Sequence, residues 1–238
     1  MSGCTRLKIQ SEPSGRIERR GLLACLGAVC VSGLARPGQA APTLGLPVPD
    51  RGGLAFRIVR GGSEIGKHTV TFRQDGNTLR VDVAVEILVK FGPIPVYRYV
   101  HNASETWRGG LLVAADGKTN DDGKARSMNA QAGPEGLVVE GTLSGRYVAP
   151  PGTLVANHWN REELSGPMIN PQGGKLLRPT VTPGPEEAVL LASGNRVPAS
   201  RFNLSGDARL DLWYDRANAW AATRFNPEDG SEVMYERI

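Results

Sequence analysis

The fold of this chain is decided by one stretch, LRVDVAVEILVKF, which runs from Leu79 to Phe91. Every odd-numbered residue in this stretch is apolar, and four of the even-numbered residues are charged. A period of two is typical of a β-strand, because successive side chains of a strand point to opposite faces of the sheet. We therefore predict a long antiparallel strand whose odd positions are buried and whose even positions face solvent.

Shorter stretches with the same period precede it, from Leu54 to Ile58 and from His68 to Phe72. Strands this long and one-sided bury their apolar row only by wrapping around it or by packing on another layer. The predicted fold is all-β and mainly antiparallel: a single curved or partly closed β-meander, or half-barrel, with at most one or two short helices. Turn signals separate the stretches at Gly61-Gly62, Asp75-Gly76-Asn77, Gly92-Pro93, Asp121-Asp122-Gly123, Pro134-Glu135-Gly136, Gly194-Asn195 and Asp229-Gly230.

Three segments interrupt the alternating pattern. Asn160 is a suitable N-cap and Glu163 follows three positions later, which predicts one or two helical turns. Residues 185–192 suit either a short helix or a strand, and we predict a strand that pairs with residues 197–204. Residues 166–185 hold five prolines and are predicted to cross one end of the sheet as a long excursion.

The first forty residues have the order of an export signal: a basic region, fifteen uncharged residues from Gly21 to Ala35, and then small residues. Gly38 and Ala40 are the small residues that a signal peptidase requires before a cut between Ala40 and Ala41. We therefore predict that residues 1–40 are removed and that the mature chain is a periplasmic protein without a transmembrane span.

Arg19 and Arg20 stand directly before the uncharged run, as in a twin-arginine signal, which exports folded proteins. Glu18 occupies the position where that motif usually has Ser or Thr, so export by the Sec route stays an alternative. An uncleaved N-terminal anchor and a lipoprotein attached at Cys25 are two further alternatives. All three cysteines lie in residues 1–40, so no disulfide crosslinks the predicted mature chain.

The net charge of +4 is confined to the predicted signal. Residues 1–40 contain six basic and two acidic groups, so residues 41–238 carry no net charge. A folded part without net charge has no overall field to steer phosphates, which argues against a nucleic-acid partner. Residues 41–53 form a Pro/Gly-rich lead-in, and residues 54–238 contain no repeat and no linker, which predicts one β domain.

The local signatures of catalysis and cofactor binding do not occur in this sequence. There is no P-loop and no dinucleotide-binding glycine motif. The nearest approach to a nucleophile elbow, from Gly61 to Gly66, has Ile65 where that motif needs its second glycine. The three histidines, His68, His101 and His158, do not have the spacing of a metal site. We therefore predict no cofactor and no metal.

The best candidate for a binding site is the predicted strand from Val96 to Trp107. Its odd face carries aromatic rings together with two titratable groups. A face of this kind suits either the rim of a core or the wall of an apolar pocket with a few polar groups, and the sequence leaves both interpretations open. The residues predicted to line such a pocket are Tyr97, Tyr99, His101, Glu105 and Trp107.

Several spaced motifs together carry a resemblance to one known family. They are Gly61-Gly62 with Ile65-Gly66 and His68, Phe91-Gly92-Pro93-Ile94-Pro95-Val96-Tyr97, Glu105-x-Trp107, Thr119-Asn120-Asp121-Asp122-Gly123 and Trp213-Tyr214-Asp215. Over about Leu54 to Ile238 the chain resembles an exported bacterial family of uncharacterised proteins, domain of unknown function 6134. It departs from the family's more usual Asp-Thr-x-x-Gly pattern at residues 170–174. The resemblance implies a β-rich envelope protein and supplies no assigned activity.

The functional expectation is a non-catalytic periplasmic β-scaffold. On its concave face it would bind a hydrophobic or amphipathic small molecule, or an envelope protein. The alternative is a carboxylate-dependent periplasmic hydrolase that uses residues such as Glu105 and Asp215, because an unfamiliar carboxylate enzyme leaves no local motif. Asp215 is explained more simply by the turn that follows it, Arg216-Ala217-Asn218.

Overall fold

The computed structural model of this protein describes residues 45–50 and 52–238. The predicted twin-arginine pair, Arg19 and Arg20, and the predicted cut between Ala40 and Ala41 lie outside the described residues. Within these residues the chain consists mainly of β-strands, and a short 3-10 helix spans Arg161–Ser165. None of the helical structure described there reaches the length and hydropathy that a membrane span needs.

The described residues contain sixteen strands. Their bounds are β1 Gly53–Arg60, β2 Ser63–Asp75, β3 Thr78–Phe91, β4 Ile94–Arg108, β5 Leu111–Asp121, β6 Lys124–Gly133, β7 Gly136–Gly141, β8 Gly145–Ala149, β9 Leu154–Val155, β10 Met168–Ile169, β11 Leu176–Leu177, β12 Thr180–Leu190, β13 Arg196–Ser205, β14 Leu210–Asp215, β15 Trp220–Phe225 and β16 Val233–Arg237.

Thirteen of these strands form one antiparallel sheet in the order β12-β13-β14-β15-β16-β1-β2-β3-β4-β5-β6-β7-β8. The chain enters at β1 in the middle of the sheet, runs outward by hairpins to the edge strand β8, and resumes at the opposite edge with β12. It then returns inward until β16 pairs with β1. The edges β8 and β12 do not pair, so the sheet is not closed. The predicted all-β antiparallel meander is confirmed.

Over most of the length of β3, the apolar residues at odd positions are buried, as the sequence predicts. Leu79, Val81, Val83 and Val85 are all buried and belong to the main hydrophobic core. Phe91, on the same set of odd positions, is 80% exposed. The prediction that the odd positions are buried through residue 91 is therefore wrong at the end of the strand.

The exposure of Phe91 follows from the lengths of the neighbouring strands. β2 pairs with β3 only as far as Ile87, and β5 pairs with β4 only from Tyr99 onward. Residues 88–97 therefore extend beyond both neighbours as a two-stranded ribbon, and Phe91 at its tip has no core to face. The exposed large apolar side chains of this ribbon are Leu88, Phe91, Ile94 and Val96.

A covering segment, residues 150–179, packs its apolar side chains into the core of the large sheet. It contains the 3-10 helix and a small sheet of order β11-β10-β9. Trp159, Met168 and Ile169 are its largest fully buried side chains, and they share one core with β1 to β4. The predicted short helical structure is confirmed as the 3-10 helix, and the Asn160 side chain accepts a hydrogen bond from the Glu162 backbone N–H.

The predicted excursion over residues 166–185 is only partly correct. It contains two short strands that pair with each other, β10 and β11, and β12 already begins at Thr180. The prolines within β12 are tolerated because β12 is an edge strand of the large sheet. The strand predicted over residues 185–192 is confirmed as far as Leu190, and it pairs with β13 as expected.

Two substitutions on β3 test this description of the sheet. We expect Val81→Ala to lower the free energy of unfolding by about 2 kcal/mol, because it leaves a cavity in a close-packed core. Phe91→Ala removes a larger side chain, yet we expect a change within about 0.5 kcal/mol because that ring is exposed. Urea denaturation of both variants checks this, and a loss for Phe91→Ala equal to that for Val81→Ala would contradict the projecting ribbon.

Candidate functional site

Strand register brings two of the three histidines onto one face of the large sheet. His68 of β2 lies opposite Val85 of β3, which lies opposite His101 of β4. Residues that lie opposite one another point to the same face, and two strand spacings separate the histidines by about 10 Å. The next residue in this row is Thr119 of β5, whose Oγ1 lies 2.8 Å from His101 Nδ1.

The third histidine, His158, comes from the covering segment. Its backbone φ is 66°, a left-handed conformation that few residues other than glycine adopt. Glu163 stabilises it with both carboxylate oxygens: Oε2 accepts from the His158 backbone N–H at 2.9 Å, and Oε1 lies 2.6 Å from Nδ1. Because a carboxylate only accepts, Nδ1 carries a proton, and in the neutral imidazole Nε2 is then an acceptor without a partner among the described residues.

One indole packs against two of these imidazoles. The Trp220 ring lies 4.9 Å from the His68 ring and 5.5 Å from the His158 ring, with interplanar angles of 77° and 68°. Trp220 is fully buried, and its Nε1 donates to Thr223 Oγ1 at 2.9 Å. His68 and His158 are therefore held in fixed positions on the same rigid side chain.

Glu105 joins the covering segment to β4. Its carboxylate accepts hydrogen bonds from Trp107 Nε1 at 2.7 Å, Asn157 Nδ2 at 2.6 Å and Trp159 Nε1 at 3.0 Å. Burial raises the pKa of Glu105 to about 7, although the three donors act in the opposite direction. Because Asn157 and Trp159 flank His158 in the chain, Glu105 helps to position that histidine.

The histidines line a cavity of about 820 Å³. Its wall is mostly apolar or aromatic, its buried polar side chains are histidine, asparagine and threonine, and its exposed side chains are acidic. The apolar and aromatic members include Ile65, Val83, Val85, Ile87, Val89, Tyr97, Tyr99, Leu210, Phe225, Val233 and Tyr235. The polar and charged members are Arg60, His68, His101, Asp121, Asn157, His158, Gln172, Thr223, Glu228 and Asp229.

The structure separates the five residues that the sequence predicts to line a pocket. Tyr97, Tyr99 and His101 lie in the cavity wall, and the Tyr97 hydroxyl donates to Asp121 Oδ1 at 2.8 Å. Burial, together with that hydrogen bond, raises the pKa of Tyr97 to about 12. Glu105 and Trp107 are buried and hydrogen-bonded to each other in the core, and they are not among the residues that line the cavity.

Buried imidazole nitrogens without a protein partner distinguish this cavity from ordinary core. Both ring nitrogens of His68 and Nε2 of His101 have no hydrogen-bond partner among the described residues. His68 is 6% exposed and His101 is 4% exposed. Burial lowers the pKa of His68 to about 3, and the nearby His158 and His101 act in the same direction. Burial also lowers the pKa of His101 to about 4, although a hydrogen bond from the imidazole to the Lys118 backbone carbonyl acts in the opposite direction.

The carboxylates considered for a hydrolase have structural partners. Glu105 accepts the three hydrogen bonds described above. Asp215 accepts hydrogen bonds from the backbone N–H groups of Ala217 and Ala219, and from the Arg237 side chain at 2.9 Å. It therefore closes the turn between β14 and β15, as its sequence context suggests.

Across residues 45–50 and 52–238, no group of three or more His, Cys, Asp or Glu side chains is placed to hold a metal ion.

Sequence reasoning missed His68 and His158 as members of the site. The positions of His68 and His101 relative to the predicted turns do indicate that they share one face of the sheet. A meander of hairpins with two-residue turns fixes which residues lie opposite each other. His158 has no such signal, since it arrives on an irregular segment whose path depends on the buried Glu105.

Together, the fold and the cavity define a class: an open antiparallel β-sheet protein with a largely apolar cavity and buried histidines. The chain belongs to the family Domain of unknown function (DUF6134), whose model matches residues 56–238. That match includes every residue of the cavity wall. No curated protein matches this chain.

A solved structure with a similar fold is a beta-barrel-like protein of domain of unknown function DUF1849 from Brucella abortus. The two share a TM-score of 0.55 at 11% sequence identity, and the match covers 78% of this chain and 94% of that chain. At this identity the likeness shows the fold alone.

The buried His68 predicts a specific dependence of stability on pH. Its pKa is lower in the folded protein, so the unfolded chain binds the proton more tightly and stability is lost as the pH falls below about 6.5. At pH 5 this costs the wild type about 2 kcal/mol relative to pH 8. We expect His68→Leu to remove that loss. The free energy of unfolding of the variant, relative to that of the wild type, should therefore be higher at pH 5 than at pH 8.

Urea denaturation at the two pH values measures this difference. Val83→Ala serves as the control, because it alters the same cavity wall without removing a titratable group, and its effect should not depend on pH. A His68→Leu effect that is equal at pH 8 and pH 5 would mean that His68 is protonated in the folded protein or that it is accessible to solvent.

Proposed function

We propose that this protein binds a hydrophobic or amphipathic small molecule in its cavity and does so without chemical turnover. The observation that carries this proposal is the cavity of about 820 Å³, whose wall is apolar and aromatic with a few polar groups. Small-molecule sites in proteins generally have volumes of about 300 to 1,000 Å³ and this same mixture of linings.

The aromatic part of the wall supports an apolar ligand. Tyr99 and Tyr235 are half-buried and belong to the partly buried shell of the main core, and both line the cavity. Burial raises the pKa of each, so both phenols stay neutral at physiological pH. Neutral aromatic rings of this kind offer a large contact area to an alkyl chain or a ring system.

Binding is favoured over hydrolysis by the state of the candidate carboxylates. Glu105 is 1% exposed and receives three N–H donors, so a substrate does not reach it. Asp215 closes a turn and pairs with Arg237. Neither residue lines the cavity.

The place of action belongs to the same proposal. The order of residues 1–40 favours export by the twin-arginine route and a mature periplasmic chain that begins at Ala41. An envelope protein is the alternative occupant of the concave face.

The cavity proposal predicts binding of N-phenyl-1-naphthylamine, a neutral probe that fluoresces in apolar surroundings. We expect saturable binding by the wild type and about tenfold weaker binding by Tyr99→Ala, since truncation removes an aromatic wall of the cavity. Tyr147→Ala is the matched control, because that tyrosine is also half-buried and does not line the cavity.

Native mass spectrometry of protein purified from its own cells complements the titration by searching for a co-purifying mass. A wild-type protein that neither binds the probe nor retains any mass would contradict the proposal. So would equal losses of affinity in Tyr99→Ala and Tyr147→Ala.

Export predicts a specific product and a specific dependence on arginine. The intact mass of the mature protein should correspond to a chain that starts at Ala41. Replacing Arg19 and Arg20 by lysine should abolish export, because the twin-arginine route requires that pair. Export that persists in this double variant would indicate the Sec route, and a lipid-bearing Cys25 would indicate a lipoprotein.

A further inference from the structure

We propose that His68 and His158 together recognise a hydroxyl group, so that the ligand of this cavity is an apolar alcohol. The inference rests on the proposed function of the cavity and names the chemical class of its occupant. It follows from which nitrogen atoms of the two imidazoles are already engaged by the protein and which are not.

His68 contributes a donor and an acceptor that the protein does not use. A neutral imidazole has one N–H donor and one acceptor nitrogen. Both nitrogens of His68 are buried, and neither has a hydrogen-bond partner in the part of the chain that the structure describes. Leaving such groups unsatisfied is costly in a protein interior, and this side chain lines the cavity, so a turn of the ring that brings a nitrogen to a polar group of a bound molecule removes that cost.

His158 contributes an acceptor whose identity is fixed. The Glu163 carboxylate lies 2.6 Å from Nδ1 and accepts a hydrogen bond from it, which leaves Nε2 of the neutral imidazole with a lone pair. Glu163 also accepts from the His158 backbone N–H at 2.9 Å, which holds the carboxylate beside the ring. The ring lines the same cavity as His68.

A hydroxyl group matches this combination. Its O–H can donate to the acceptor Nε2 of His158 while its oxygen accepts from the N–H of His68. Both imidazoles pack against Trp220, at ring distances of 4.9 and 5.5 Å, and both line the cavity, so the proposal places the hydroxyl beside that indole. The unpartnered Nε2 of His101 lies in the same wall.

Charged head groups fit less well. An ionised carboxylate has no proton to donate, so it would place its charge against the lone pair of His158 Nε2. The charged side chains that line the cavity add to this repulsion, because Asp121, Glu228 and Asp229 outnumber Arg60. These carboxylates would attract an ammonium group, but an ammonium has only donors and would leave the N–H of His68 unsatisfied.

Four probes, each with an unbranched alkyl chain, test the assignment by displacing N-phenyl-1-naphthylamine at pH 8: 1-decanol, its methyl ether 1-methoxydecane, decanoate and decylammonium. They share one alkyl chain and differ in the head group. We expect the wild type to bind decanol about tenfold more tightly than the methyl ether, which has no O–H, and more tightly than either ion.

In His68→Phe the preference for decanol over the ether should fall to about twofold or less, because one hydrogen-bond partner is gone while an aromatic ring still packs on Trp220. His158→Asn, which tolerates the left-handed backbone, should reduce the same ratio. Val83→Ala is the control: it should weaken all four probes while the ratio stays at the wild-type value. Near-UV circular dichroism establishes that each variant is folded.

The outcomes separate this inference from the function on which it rests. If no probe binds, the proposed function itself fails. If all four bind the wild type equally, the cavity function stands and the hydroxyl assignment is overturned. Tighter binding of decanoate or decylammonium overturns it as well, as does a decanol preference that survives in both His68→Phe and His158→Asn.

Discussion

A carboxyl group in a protein interior must be hydrogen-bonded or protonated, and the way in which Glu105 meets this constraint organises the site. Its three donors come from two places, Trp107 on the same strand and Asn157 and Trp159 on the covering segment. The hydrogen bonds therefore fix an irregular stretch of backbone, which has no sheet pairing of its own, against a strand of the large sheet. His158 lies between the two anchored residues, and its place in the cavity depends on both anchors.

The packing around Glu105 agrees with this role. The Trp159 ring lies 5.4 Å from Trp107 and 5.3 Å from Phe72, in edge-to-face geometry with both. The apolar contacts exclude water from the carboxyl group, and this exclusion raises its pKa. The same residues therefore provide the hydrogen bonds and the low-dielectric surroundings that make those bonds necessary.

The polar groups of the interior have opposing effects on stability. The pKa of Glu105 is higher in the folded protein than in the unfolded chain. Its contribution to the free energy of unfolding is therefore largest below about pH 4.5 and is lost as the pH rises toward 7. The lowered pKa values of His68 and His101 act in the other direction, since their contribution is lost as the pH falls below about 6.5. Buried histidines with unpartnered nitrogens reduce stability, because their polar groups lose water without gaining a protein partner.

The sequence by itself determined the all-β, mainly antiparallel class and the face of β3 that is buried from Leu79 to Val85, because period two is a local property of the chain. It also indicated Tyr97, Tyr99 and His101, which share a face of β4. Only the tertiary structure decided that Phe91 projects beyond its neighbours, because burial depends on the lengths of adjacent strands. The meeting of His68, His101 and His158 depends on register across three strands and on hydrogen bonds to Glu105 over more than fifty residues of chain. Such long-range contacts leave no periodic trace in the sequence.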